Sequence, residues 1–342
     1  MTTTNTIEKT DVLLKGTFSI SPEEYAPIKE KTFNVLAQGV TLPGFRAGKA
    51  PKQMLVDRIG EGRIMDETAR RAIEDFYPKL IGKEGVRPVG DPRISITKCA
   101  AGNPIEFTVE VPLYPPIKLP DYKKIANTIF SEKRPETTVD ENEIDEAILN
   151  IKKYRQEKLK DVQEETLIDD AFAQTLGNFK NLADLKEKMK ENLLLEKNQK
   201  EKNSVRHTAL LKIIESSTFP ISPQLIDAET QGMMLELKEN TASYGLDFKD
   251  YLSHSKKTEE ELVKDMRGSA ESHIREEFIV HEIAEKESLR PTKEELDENT
   301  KAFLEARPNV TEHDARRYVS ELLIHEKVYQ FLEDGVVINS NK

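Results

Sequence analysis

Apolar positions recur at helical spacing on both sides of one short stretch that breaks the pattern. Ile28, Phe33, Leu36 and Ala37 form an apolar face behind Ser21-Pro22-Glu23-Glu24. That tetrapeptide combines an N-cap, a first-turn proline and a capping-box glutamate, and Gly39 suits the C-terminal end. Pro51 opens a second helical pattern through Met54, Leu55, Ile59 and Ile64. Between them, Leu42-Pro43-Gly44-Phe45-Arg46-Ala47-Gly48-Lys49-Ala50-Pro51 carries two glycines and two prolines, which rule out a helix or a long regular strand there. The decapeptide therefore joins two helices and projects from their tips.

Further along, the pattern is helical almost without interruption from Thr138. Asp140 caps a helix bearing Ile144, Ile148, Leu149 and Ile151. Residues 181–215 form one or two helices with Leu182, Leu185, Met189 and Leu193 on one stripe, which the polar stretch Asn198–Ser204 interrupts. Ser222-Pro223 opens a helix to about Tyr244. Thr258 with Glu261 is a capping box for residues 258–289, which Arg290-Pro291 ends. Residues 292–306 and 311–334 are two more helices split by Pro308, the second capped by Thr311 and ended by Gly335. No fixed-length repeat is visible.

Punctuation residues suggest the domain boundaries. Ten of the 15 glycines lie in residues 1–102 and 13 of the 17 prolines in residues 1–135. Pro112-Leu-Tyr-Pro115-Pro116-Ile-Lys-Leu-Pro120-Asp121 reads as a stiff extended linker, with residues 121–135 also extended. The expected organisation is a small α+β domain over 1–114, a linker over 115–137 and a mostly α-helical, elongated domain with arm-like helices over 138–342.

Composition narrows the function classes. A third of the residues are charged, tryptophan is absent and aromatics are few, which favours helices with much exposed surface over one dense core. The single cysteine, Cys99, excludes an intramolecular disulfide and suits a reducing compartment. No apolar run approaches the ~20 residues of a membrane span, and Met-Thr-Thr-Thr-Asn-Thr lacks the regions of a signal peptide. The expectation is a cytoplasmic protein with no membrane partner. Residues 1–115 hold 16 basic and 15 acidic side chains, against 35 and 47 in the remainder. Between residues 40 and 58, Arg46, Lys49, Lys52 and Arg58 face only Asp57. A local cationic tip on an acidic protein suits RNA or an acidic protein surface, with binding that weakens as salt rises. The loop alone leaves two readings open: a rigid docking tip, or an ordinary tight turn whose Phe45 tucks into the core.

The run Gly44-Phe45-Arg46-x-Gly48-Lys49-x-Pro51 resembles the ribosome-docking signature of the bacterial trigger factor family. The surrounding order fits that family's N-terminal domain: a strand in 9–20, a helix in 21–39, the loop in 40–50, helices in 51–82, and paired strands in 86–98 and 104–114. Many family members carry a third basic residue where this chain has Ala47, which implies weaker docking. The family's usual prolyl isomerase domain, similar to the FK506-binding proteins and rich in glycine and aromatics, has no room here. Between Pro135 and Pro220 stand one glycine, Gly177, and no proline. The resemblance thus implies a trigger-factor-like protein without the isomerase domain or its activity.

No catalytic constellation competes with this reading. His281-Glu282 begins like a zinc-protease motif, but Glu285 stands where a second histidine is required. His273, Glu277 and His281 share a helix face and offer ligands to one metal only with help from a neighbouring helix; a solvated face is the simpler account. There is no phosphate loop, and Cys99 has no histidine near it in sequence. No metal and no cofactor is expected.

The resemblance implies binding in two parts. Gly44, Phe45, Arg46, Gly48 and Lys49 dock on the large ribosomal subunit, protein and rRNA, beside the polypeptide exit. The helical half holds unfolded or nascent polypeptide without ATP. Met233, Met234, Leu237 and Met266 either contribute to that client surface, since thioethers repack easily, or hold the arms together as core. A homodimer burying the docking face is compatible with the family, although no heptad seam requires one. The competing reading from another class is a helical scaffold or assembly factor that binds one folded partner through the same tip.

Overall fold

The computed structural model of the chain describes residues 3–46, 48–159 and 167–339. Its contacts divide it into two compact units, each assembled from two separate stretches: Met1–Lys118 with Thr218–Glu277, and Leu119–Ser217 with Phe278–Lys342. Among the described residues, no helix is long and apolar enough to cross a membrane.

The first unit begins with strands β1 (Thr3–Lys9) and β2 (Leu13–Ile20), helices α1 (Pro22–Gln38), α2 (Lys52–Ile59) and α3 (Glu61–Glu84), then strands β3 (Arg93–Lys98) and β4 (Ile105–Pro112). The strands form one antiparallel sheet in the order β1-β2-β4-β3. Strict alternation places Leu14, Phe18 and Ile20 of β2 beside Val111, Phe107 and Ile105 of β4 on the buried face. Met65, Ala69, Ala72, Ile73 and Leu80 of α3 cover that face. Phe76 joins Phe18 and Phe107 in a three-ring cluster with centroids 5.1–5.8 Å apart. Each buried ring contributes about 1.5–3 kcal/mol by area alone. The Ser21–Glu24 capping box forms as expected, and Tyr25 Oη donates to Asn103 O and accepts from Gly102 N–H, tying α1 to the β3–β4 turn.

Two expectations change here. The strand expected over 9–20 is a hairpin, because Thr10 Oγ1 accepts from Leu13 N–H at 3.1 Å and Thr10 N–H bonds Leu13 O, turning the chain between β1 and β2. The strand expected over 86–98 starts only at Arg93: Pro88, Gly90 at φ +71° and Pro92 keep the preceding segment irregular, although Val89 N–H still donates to Pro112 O and Tyr114 N–H to Arg87 O across it.

The rest of this unit is helical: α8 (Pro223–Ser243), α9 (Phe248–Ser255) and most of α10 (Glu259–Lys286). Gln224 Nε2 donates to Asp91 O, fastening the start of α8 to the loop before β3. Lys238–Glu259 (2.6 Å), Arg267–Asp227 and His273–Glu229 (2.6 Å) link α8 to α10. All are solvent-exposed, and such pairs add only a few tenths to about 1 kcal/mol each. Helix α9, capped by Asp247, was not foreseen.

The second unit contains α4 (Tyr122–Phe130), α5 (Glu141–Tyr154), α6 (Asp170–Leu176), α7 (Leu182–Glu215), the end of α10, α11 (Lys293–Ala306) and α12 (Glu312–Asn339). Helix α4 corrects the extended reading of 121–135. Asp121 caps it through Lys124 N–H, and Tyr122, Ala126 and Ile129 fall on one buried stripe. The preceding prolines stop one residue short of it. Tyr122 Oη donates to Glu287 at 2.5 Å, which holds that carboxyl below the usual range. Val139, Ile144, Ile148, Phe172, Ala173 and Leu185 form a second core.

Helix α7 is a single helix of 34 residues, so the polar stretch Asn198–Ser204 does not interrupt it. Polar partners take over where the apolar stripe lapses. Thr137 bonds Glu201 (2.6 Å), Lys202 pairs with Glu333 (3.2 Å), and Arg206, only 8% exposed at its side chain, grips both Glu326 and Glu333 with two hydrogen bonds each. Helix α12 continues through Gly335, which does not take the positive φ that a terminating glycine needs. Thr258 and Thr311 cap α10 and α12 as expected, and α10 ends at Lys286, with Ser288 at φ +58° in the turn before Arg290-Pro291.

Arg206→Ala should destabilise the protein by about 3 kcal/mol, because it strands Glu333 and Glu326 without their shared cation. Urea unfolding measures this. The carboxyl of Glu333 is held below its ordinary pKa, with its burial outweighed by Arg206 and Lys202. The stability it contributes is therefore present above the ordinary carboxylate range and lost as pH falls through the lowered value. A wild-type excess over Arg206→Ala that did not shrink as pH fell through and below the ordinary carboxylate range would contradict this assignment.

Candidate functional site

The decapeptide between α1 and α2 folds as two successive turns. Leu42 O accepts from Phe45 N–H at 3.1 Å across Pro43 and Gly44, and Gly44 sits at φ +83°. Proline second and a positive-φ residue third is the pattern of a type II turn. Arg46 O then accepts from Lys49 N–H at 2.9 Å, with Gly48 at φ +72°. Gly48 N–H also reaches back to Val40 O. A Cβ on Gly48 would stand 3.4 Å from Ala37 O and Gln38 Cα, so the loop lies directly on the backbone ending α1.

A small apolar cluster of Ala37, Ala50 and Leu55, with Phe33, Val40, Leu42 and Ile59 around it, fills the space beneath the loop. Phe45 is outside that cluster and 40% exposed, so the reading in which its ring tucks into the core does not hold. Arg46 and Lys49 are exposed, and neither forms an ion pair with a described residue. Lys52 lies 5.4 Å from the centre of the Phe33 ring. Gly44, Phe45, Arg46, Gly48 and Lys49 are thus brought together, the glycines supplying the turns and the other three the exposed chemistry. Ala47 lies outside the described residues.

The four candidate client residues are divided. Met234 is 6% exposed and belongs to the interior of its unit, while Met233, Leu237 and Met266 are half-buried. The exposed apolar side chains are elsewhere: Leu235 at 58%, Tyr244 and Leu246 in the first unit, and Leu195 at 68%, Leu211 and Leu322 in the second. The sequence carried a signal for two of them. Three consecutive apolar residues on a helix span about 200°, so they cannot all face one core. In Met233-Met234-Leu235 and Leu193-Leu194-Leu195 the third leucine is left outside. The second unit also holds an open groove of about 900 Å³ between α4 and α7, floored by Ile125, Ile129 and Val205 and edged by Lys200 and Lys212.

Of the residues weighed for chemistry, the two histidines do not share a site. His273 Nδ1 contacts Glu229 at 2.6 Å and His281 Nε2 contacts Glu321 at 2.7 Å, so the two rings serve different partners. Glu229 raises the His273 pKa above its ordinary value. Cys99 Sγ lies 3.5 Å from Met65 O, and burial pushes its thiol up, away from thiolate reactivity.

Comparison with known proteins places this geometry. Residues 1–151 match the family profile described as "Bacterial trigger factor protein (TF)", and residues 181–333 match "Bacterial trigger factor protein (TF) C-terminus". A trigger factor from Clostridium botulinum is 24% identical, covering 85% of this chain and 87% of that protein. One from Rhodococcus jostii is 24% identical over 81% and 76%, and one from Corynebacterium jeikeium 23% identical over 82% and 68%. A solved structure described as "Promiscuous Substrate Recognition in Folding and Assembly Activities of the Trigger Factor Chaperone" shares the fold, with a TM-score of 0.55 at 17% identity over 98% of this chain and all of that one. Only residues 152–180 separate the two matched spans. The described residues there form the end of α5, one π-helical turn (Arg155–Leu159) and α6, with no strand.

Gly48→Val should lower the stability of the loop region by about 2 kcal/mol, since the left-handed conformation costs an L-residue ~1–2 kcal/mol and the added Cβ meets α1 backbone. Gly62→Ala, at a helical glycine with open space around it, is the control and should not destabilise. Amide exchange at Val40 and Lys49 reads the difference, and equal protection in both variants would contradict the packing described.

Proposed function

The chain belongs to the bacterial trigger factor family, and from that premise we propose that it is a cytoplasmic, ATP-independent chaperone without isomerase activity. It docks on the large ribosomal subunit near the polypeptide exit and holds nascent or unfolded chains. The observation that carries the reading is the tip: an exposed aromatic ring and two exposed cations, neither in an ion pair with a described residue, held on two glycine-dependent turns over their own small core.

The tip suits a polar, anionic partner surface. Arg46 offers a planar fork of donors to carboxylate or phosphate, and Lys49 adds a compact charge. Phe45 supplies apolar area at the centre of the contact, where aromatic anchors contribute most. Because the turns are already formed, little ordering entropy remains to oppose docking.

Client holding rests on the exposed leucines and the groove of the second unit. Leu195, Leu211, Leu235 and Leu246 are exposed on helices and turns rich in charged residues, an arrangement that offers weak contacts to many sequences without one strong site. The groove accommodates a short apolar segment on its Ile125, Ile129 and Val205 floor. The excess of carboxylates after residue 115 keeps such a surface soluble and favours clients with basic segments. Release follows from rapid exchange and client folding.

Phe45→Ala, Arg46→Ala and Lys49→Ala combined should abolish saturable co-sedimentation with vacant bacterial ribosomes while leaving unfolding unchanged. Binding retained by the triple variant would assign the tip another partner and favour the scaffold reading. Independently, the wild type in slight excess should suppress aggregation of several unrelated unfolding proteins without nucleotide. Leu195→Ser with Leu235→Ser should weaken that protection severalfold, and a proline-containing peptide should isomerise at its background rate throughout. Protection of one protein only, or none, would contradict the chaperone reading.

A further inference from the structure

Beside the docking loop lies a second cleft, about 470 Å³, bordered by Val35, Leu36, Val40, Ile59, Arg58 and Arg63. Its two arginines come from different helices. Arg58 is in the last turn of α2 and Arg63 in the first turn of α3, with Gly60 between them at φ +88°. On one continuous helix, residues five apart would point about 140° away from each other. The break at Gly60 brings both to one cleft instead.

Neither arginine forms an ion pair with a described residue, although the chain has 62 carboxylates. The acids nearest in sequence are committed elsewhere: Asp57 accepts from Gln53 Nε2 at 3.0 Å, and Glu61 pairs with Lys29 at 3.5 Å. Two like charges set at one cleft repel unless an anion lies between them. Around the two guanidinium groups the lining is Val35, Leu36, Val40, Ile59, Gly39 and Thr41, and Leu36 O and Val40 O already accept from Gly39 and Gly48 N–H. A phosphodiester is acceptor-only, and paired guanidinium groups match it in shape and charge.

We propose that the Arg58–Arg63 cleft binds the phosphate backbone of RNA, as a second anchor beside the loop tip. This rests on the ribosome-docking reading and extends it from one contact to two. The loop sets position through Phe45, Arg46 and Lys49, and the cleft adds charge that compensates for the uncharged Ala47.

The test measures ribosome affinity against salt for the wild type, Arg58→Ala/Arg63→Ala, Arg58→Lys/Arg63→Lys and the loop triple variant. Far-ultraviolet circular dichroism and melting temperature establish that each is folded. Losing two phosphate contacts should make the slope of log affinity against log salt shallower by about 1.8, so the gap between wild type and the double-alanine variant narrows roughly tenfold from 50 to 200 mM salt. The lysine variant should keep the slope and lose part of the affinity. A 16-base-pair RNA duplex should compete for the wild type, and polyglutamate of equal charge should not. An unchanged slope in the double-alanine variant, with docking still lost in the triple variant, would overturn the second anchor and leave docking intact. Equal competition by polyglutamate would assign the cleft to an acidic protein and overturn the RNA reading. If the wild type does not bind ribosomes, the docking reading falls, and direct titration of the labelled duplex decides the cleft: no difference between wild type and double-alanine overturns it.

Discussion

The loop between α1 and α2 depends on a backbone constraint: two turns need positive φ at Gly44 and Gly48, and the second lies within van der Waals reach of the helix end behind it. Glycine meets both demands, because a side chain at Gly48 would face a conformational penalty and a steric one together. Once the turns close, Phe45, Arg46 and Lys49 have nowhere to go but outward, and Ala37, Ala50 and Leu55 can pack underneath. The exposure of these three side chains is thus a consequence of backbone geometry rather than of their own preferences. A phenylalanine beside two cations would otherwise gain by folding inward.

The rest of the molecule divides its apolar residues differently. In the α/β part of the first unit, alternation along β2 and β4 and the three-ring cluster make a conventional dry core. The helices after residue 115 join their apolar contacts to charge networks such as Arg206 with Glu326 and Glu333. Leucines such as Leu195 and Leu235 stay exposed there. In a protein with one folded partner, isolated exposed leucines would be a burden. In one that holds unfolded chains they are the working surface.

Much of this was legible in the sequence because local rules sufficed. The caps at Ser21, Asp140, Thr258 and Thr311 mark where helices begin, and the Gly/Pro spacing marks the loop. What escaped depended on partners distant in the chain. Helix α4 was hidden by the prolines before it, although Tyr122 finds Glu287 165 residues away. The continuity of α7 through Asn198–Ser204 depends on Glu333 of α12. Gly335 reads as a terminator locally, yet the helix runs on. Within the candidate site, residue types and spacing pointed to the loop. They did not reveal that Met234 turns inward while Leu235 turns out, since a run of apolar residues on a helix does not say which one faces the core. Nor did they show that Gly60 gathers Arg58 and Arg63.

The central claim is that one chain docks by its tip and holds a nascent polypeptide with its exposed leucines at the same time. A photo-reactive amino acid placed at Leu235, in a protein bound to ribosomes stalled while translating an aggregation-prone chain, tests both at once. The account predicts a cross-link to the nascent chain that disappears on its release and when Phe45, Arg46 and Lys49 are replaced by alanine. A cross-link that persists unchanged in the loop variant, or none to the nascent chain while the protein remains ribosome-bound, would contradict it.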